Sequence, residues 1–91
     1  MPTITHADLD RAQTQGRLVA TKDDQQAFEA AAEDLAIARL EDDRNDTNDY
    51  FRLWFWFEEG ARNYVDGQYH LDGIQRRLKE RVEEIYQEAK N

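Results

Sequence analysis

The sequence predicts an all-α fold, a small helical bundle of three main helices plus a short N-terminal helix, and three observations carry that prediction. Residues 21 to about 40 are rich in Ala and Glu and hold no Gly or Pro, so nothing interrupts a helix of high propensity there. Ile74, Leu78, Val82, Ile85 and Ala89 form a stripe of helical period, with charged residues covering the opposite side. Thr5 with Asp8, Thr21 with Asp24 and Asp72 with Gln75 are capping signatures that stand where helices would begin.

Taken in order, Thr5 caps a short first helix with Ile4 just outside it, Leu9 and Ala12 share a face, and Gly16 ends the segment. Residues 16–20 read as a connector whose Leu18 and Val19 dip into the core, with a short strand as the other reading. The second helix starts at Thr21. Its Phe28, Ala31, Ala32, Leu35 and Ala38 or Arg39 recur at helical spacing, and the alanines allow a neighbouring helix to come close. Ile37 and Leu40 fall off that stripe and suggest a second contact.

Residues 41–49 are polar throughout and rich in turn and cap residues, which marks the main break in the chain. Their carboxylates do not make an EF-hand, because no register supplies Gly at the sixth position and Glu at the twelfth. A third helix is expected from Asp46 or Thr47. It carries Tyr50, Phe51, Trp54, Phe55, Trp56 and Phe57, six aromatics in eight positions. Tyr50, Leu53, Trp54, Phe57, Ala61, Tyr64 and Val65 lie on one face of that helix, and Phe51, Phe55 and Trp56 point elsewhere. A strand is the weaker assignment, since only Leu18 and Val19 could pair with it and a lone strand is unstable. Gly60 is expected to weaken or kink this helix. Asp66-Gly67 and Asp72-Gly73 bracket a turn, and the last helix starts at Asp72.

Ninety-one residues make one domain, 1–91, with a small core. The chain has no Cys, so neither disulfides nor thiolate-held metals can reinforce it. No apolar run approaches the roughly 20 residues of a bilayer span, and residues 1–6 lack the character of a signal peptide, so a cytoplasmic protein is expected. A net charge of −8 disfavours direct binding to nucleic acid or to anionic membranes. The same charge favours solubility and would attract a basic partner.

Motifs for catalysis are missing. There is no Ser or Cys nucleophile, the two histidines are His6 and His70, and the four glycines stand singly, so neither a hydrolase turn nor a phosphate loop is present. No metal site and no cofactor are expected. Asp66 and His70 are four apart, and a local hydrogen bond or solvation accounts for them. Neighbouring carboxylates such as Glu58 and Glu59 point about 100° apart on a helix and read as a solvated face. The cluster Arg76, Arg77, Lys79 and Arg81 is interleaved with glutamates and reads as a salt-bridged surface.

The functional expectation is therefore a non-catalytic regulator, inhibitor or assembly factor that binds a protein and associates with a second copy of itself. Phe51, Arg52, Phe55, Trp56 and Arg62 form the expected interface, with the aromatics as anchors and the arginines at the rim. The plainer reading buries the whole aromatic run inside the monomer. A second function is mimicry of nucleic acid by Asp23, Asp24, Glu33, Asp34, Glu41, Asp42, Asp43, Asp46 and Asp49 towards a basic enzyme or defence complex. A third is a small-molecule or enzymatic site, completed by oligomerisation, around Trp54, Tyr64, Tyr69 and His70.

Overall fold

A computed structural model describes residues 4–91, apart from the side chain of Gln68, as an all-α chain. Its helices are α1 (His6–Lys22), α2 (Gln25–Asn45), α3 (Asp49–Arg62) and α4 (Gln68–Lys90), and the described residues contain no strand. Helix α1 packs chiefly on α3 and α2 on α4, while α2 also touches α1 and α3. Helices α3 and α4 make little direct contact and leave a cleft between them. No described helix is long and apolar enough to cross a membrane.

The N-terminal helix is not short. The capping box forms as expected, with the Asp8 N–H donating to Thr5 Oγ1 at 3.3 Å and the Thr5 N–H donating to Asp8 Oδ2 at 2.9 Å. The helix then continues through Gly16 for 17 residues, so residues 16–20 are helical and neither connector nor strand. Gly16 is buried against α3, where the lack of a side chain permits backbone contact, and this packing outweighs the helix-breaking tendency of glycine. Asp23, at φ 50°, closes α1 in the left-handed conformation. The next cap is Asp24, which accepts the Ala27 N–H at 3.1 Å; the Thr21 hydroxyl is turned back onto the Arg17 carbonyl at 2.8 Å.

Asp46, also left-handed at φ 55°, caps the end of α2. The third helix starts at Asp49, later than expected, because Asp42 supplies its cap from outside. The Asp42 carboxylate accepts the N–H groups of Asp49 at 3.0 Å and Tyr50 at 2.9 Å, together with the Thr47 hydroxyl. This satisfies donors that Asn48, which makes no side-chain cap, leaves open.

Helix α4 starts at Gln68, ahead of Asp72, after Gly67 at φ 90°. Residues expected to form a turn are thus its first turn. Buried Leu71 extends the stripe of Ile74, Leu78 and Val82, and the stripe ends on buried Tyr86, with Ala89 exposed. The core is formed by Leu71, Ile74, Leu78, Val82 and Tyr86 of α4 with Ile4, Leu9, Ala12 and Val19 from the α1 region, Ala27, Ala31, Ala32, Leu35, Ala36 and Ala38 of α2, and Leu53, Phe57 and Ala61 of α3. Phe57, Ile74, Leu78 and Val82 are its largest fully buried side chains.

Candidate functional site

Helix α3 is too aromatic for one core-facing side. Leu53, Phe57, Gly60 and Ala61 point inward and are buried, and Tyr50 and Trp54 flank them half-buried. Phe51 and Phe55, one turn apart, face outward at 70% and 54% exposure. A T-shaped relay links the surface to the core, from Phe51 through Tyr50 and Trp54 to Phe57, with centroids 5.6, 6.2 and 6.1 Å apart. Phe55 meets Trp56 edge-on at 5.8 Å. Trp56, however, is half-buried against the core cluster, so of the three aromatics expected outside only Phe51 and Phe55 are exposed.

Arg52 and Arg62 are exposed beside these rings. Their partners lie on α3 itself, near the outer limit of ion-pair distance: Asp49 at 3.5 Å and Glu59 at 3.7 Å. Glu58 and Glu59, read from the sequence as solvated, border the same face. Placing each α3 residue around the helix relative to Phe55 would have found them. Two arginines and two glutamates make this face neutral within a chain of charge −8.

The cleft between α3 and α4, about 470 Å³, adjoins this face and is lined by Tyr50, Phe51, Trp54, Glu58, Asp72, Gln75, Arg76 and Lys79. Gln75 Nε2 donates to Glu58 across it. The indole N–H of Trp54 is buried and meets no acceptor among the described residues. Tyr64, Tyr69 and His70 do not join Trp54 here; Tyr64 borders a separate depression beside α1, and Tyr69 is 92% exposed. His70 Nδ1 accepts the Asp66 N–H at 3.2 Å, a local bond at the start of α4.

Most of the expected acidic surface is engaged in holding the fold. Asp24 and Asp42 are caps, and Asp34 accepts from Arg11 at 3.0 Å and Gln15 at 3.3 Å. Asp43 accepts the Tyr86 hydroxyl, and Glu41 binds Asn45 at 3.0 Å and Arg44 at 3.4 Å. Asp49 is buried at 5% exposure and is not surface at all, because it begins α3 on the side that faces the core. Asp23, Glu33 and Asp46 are exposed, as is Asp43 despite its bond to Tyr86.

The basic cluster of α4 divides. Arg81 chelates Glu29 of α2 through Nε at 2.7 Å and Nη2 at 3.2 Å and also pairs with Glu84. Its hydrogen bond holds the Glu29 carboxyl below the usual range. Glu83 pairs with Arg39 of α2, which lowers its pKa likewise, and the Arg39 guanidinium stacks 3.8 Å from the centroid of the Tyr86 ring. Both pairs tie α2 to α4. Among the described residues no three His, Asp or Glu side chains converge as a metal-binding group.

Comparison with protein-family models, with curated proteins and with solved structures finds no match to this chain.

Proposed function

We propose that this protein works by binding another polypeptide through the outer face of α3, as a regulator, inhibitor or assembly factor. The observation that carries the reading is the exposure of Phe51 and Phe55 on successive turns of one helix. Water penalises that apolar surface unless a partner covers it, and aromatic rings bury large area while freezing few rotamers. Arg52 and Arg62 supply a polar rim. The acidic-mimic reading has less support, since Asp24, Asp34, Asp42, Asp43 and Glu41 are committed to internal bonds.

The test is affinity capture from cells that produce the protein natively, comparing wild type with Phe51→Ser/Phe55→Ser as bait, each checked for helix content. Polypeptides retained by wild type and lost with the double variant are the expected result. Identical retention by both baits would overturn the reading.

A further inference from the structure

The neutral outer face of α3 carries its charges in a particular order. With about 100° per residue, and Phe55 taken as the centre of the face, Arg52 and Glu59 lie on one flank. Phe51, Glu58 and Arg62 lie on the other. Along the helix, Arg52 and Glu59 stand at equal distances on either side of the midpoint between Phe55 and Trp56.

Two identical helices placed antiparallel are related by a two-fold axis perpendicular to the plane that holds them. That rotation brings each flank against the same flank of the other copy, run in reverse. We propose that a second copy of this chain docks on the face, α3 antiparallel to α3, with Phe55 against Phe55 at the centre and Arg52 of each copy opposite Glu59 of the other. This rests on the reading of the α3 face as a protein-binding surface and names its partner.

Both flanks fit the arrangement. On the first, the reversal sets Arg52 against Glu59 twice, once on each side of the axis. On the second, Phe51 falls level with the turn that carries Glu58 and Arg62 of the other copy, so the ring meets a guanidinium and its aliphatic stem. The ion pairs that Arg52 and Arg62 make within the monomer, at 3.5 and 3.7 Å, are long, and both arginine side chains are more than half exposed, so their guanidinium groups are free to turn to a second copy. Repulsion between two chains of charge −8 arises outside this neutral face, where physiological salt screens it beyond about 8 Å. A 14-residue helix offers only about 21 Å of contact length. The interface is therefore small, and a dissociation constant in the range of about 1–100 μM is expected.

Light scattering coupled to size exclusion, on the full chain from about 1 μM to 1 mM, reads the outcome. Wild type should move from monomer to dimer, and Phe55→Asp should remain monomeric with unchanged helix content. Arg52→Glu alone sets Glu against Glu at both symmetric positions, and Glu59→Arg alone sets Arg against Arg, so each should weaken self-association about tenfold or more. Mixing these two single variants restores opposite charge at both positions, and a heterodimer of near wild-type affinity should form. A wild type that stays monomeric at 1 mM overturns the dimer. Single variants that weaken association but do not complement each other overturn the antiparallel pairing. Either failure leaves the capture experiment with Phe51→Ser/Phe55→Ser to decide whether the face binds a foreign chain.

Discussion

Gly16 of α1 and Phe57 of α3 touch through their backbones: a Cβ built on Gly16 would stand 2.1 Å from the Phe57 carbonyl oxygen. The contact is reciprocated one turn away, where a Cβ on Gly60 would stand 1.9 Å from the carbonyl oxygen of Gln13. These two glycines let α1 lie directly on α3, and they therefore set how far the aromatic helix is drawn inward.

Gly16→Ala and Gly60→Ala should each push the two helices apart. Alanine gains up to about 1 kcal/mol of helix propensity, but the clash is with backbone and cannot be relieved by a rotamer change. A net loss of about 2 kcal/mol, or roughly 10 °C in Tm, is expected from urea and thermal unfolding. Gly73→Ala is the control. A Cβ there meets nothing within 4 Å inside α4, so this variant should gain about 0.5–1 kcal/mol.

The two faces of α3 should respond differently to truncation. Phe57, 1% exposed, should cost about 3–5 kcal/mol as Phe57→Ala. Trp56→Ala, half-buried on the core, should cost about 2 kcal/mol. Phe51→Ala and Phe55→Ala should change stability by less than about 0.5 kcal/mol while weakening association. Denaturant unfolding below the association range separates these effects.

Asp42→Ala removes a carboxylate that accepts two backbone N–H groups and a hydroxyl at the start of α3. A loss of about 2 kcal/mol is expected, in the range of a lost helix cap and of charge-assisted hydrogen bonds. Hydrogen exchange should show the amides of Asp49 and Tyr50 losing protection before the rest of α3.

Acid should weaken the fold below about pH 4. The Thr5 backbone N–H holds the Asp8 carboxyl below its ordinary value, and the hydrogen bonds from Arg81 and Arg39 do the same for Glu29 and Glu83. A carboxyl depressed in the folded state contributes stability that is complete above its unfolded value near 4 and is lost as pH falls through its folded value. Urea midpoints should therefore be insensitive to these three groups above about pH 5 and should drop in more acid solution. Asp8→Asn should flatten that drop and lower the midpoint slightly at pH 7.

Much of α2 and α4 was legible as pattern. The alanine-rich run and the stripe through Ile74, Leu78 and Val82 are local periodicities, and a helix of that period buries them wherever its neighbour stands. The boundaries were less legible. Gly16 looks like a stop until α3 is laid against it, and Asp72 with Gln75 imitates a cap inside a helix that Leu71 has already extended towards the core. Asp42 caps a helix that starts seven residues after it, a relation that no local window contains.

The candidate site divides in the same way. The excess of aromatics over one helical face is determined by the sequence itself, because the angular spacing of side chains on a helix leaves no room for six on one side, whereas the exposure of Phe51 and Phe55 depends on no second helix covering that face. Tertiary structure alone decided that Trp56 turns onto the core, that Asp49 is buried, and that Asp24, Asp34, Asp42 and Asp43 are spent on caps and cross-helix bonds. Those outcomes depend on which neighbour occupies each side of α3 and how close it comes. Closeness is set by contacts such as Gly16 on Phe57, between residues far apart in the chain.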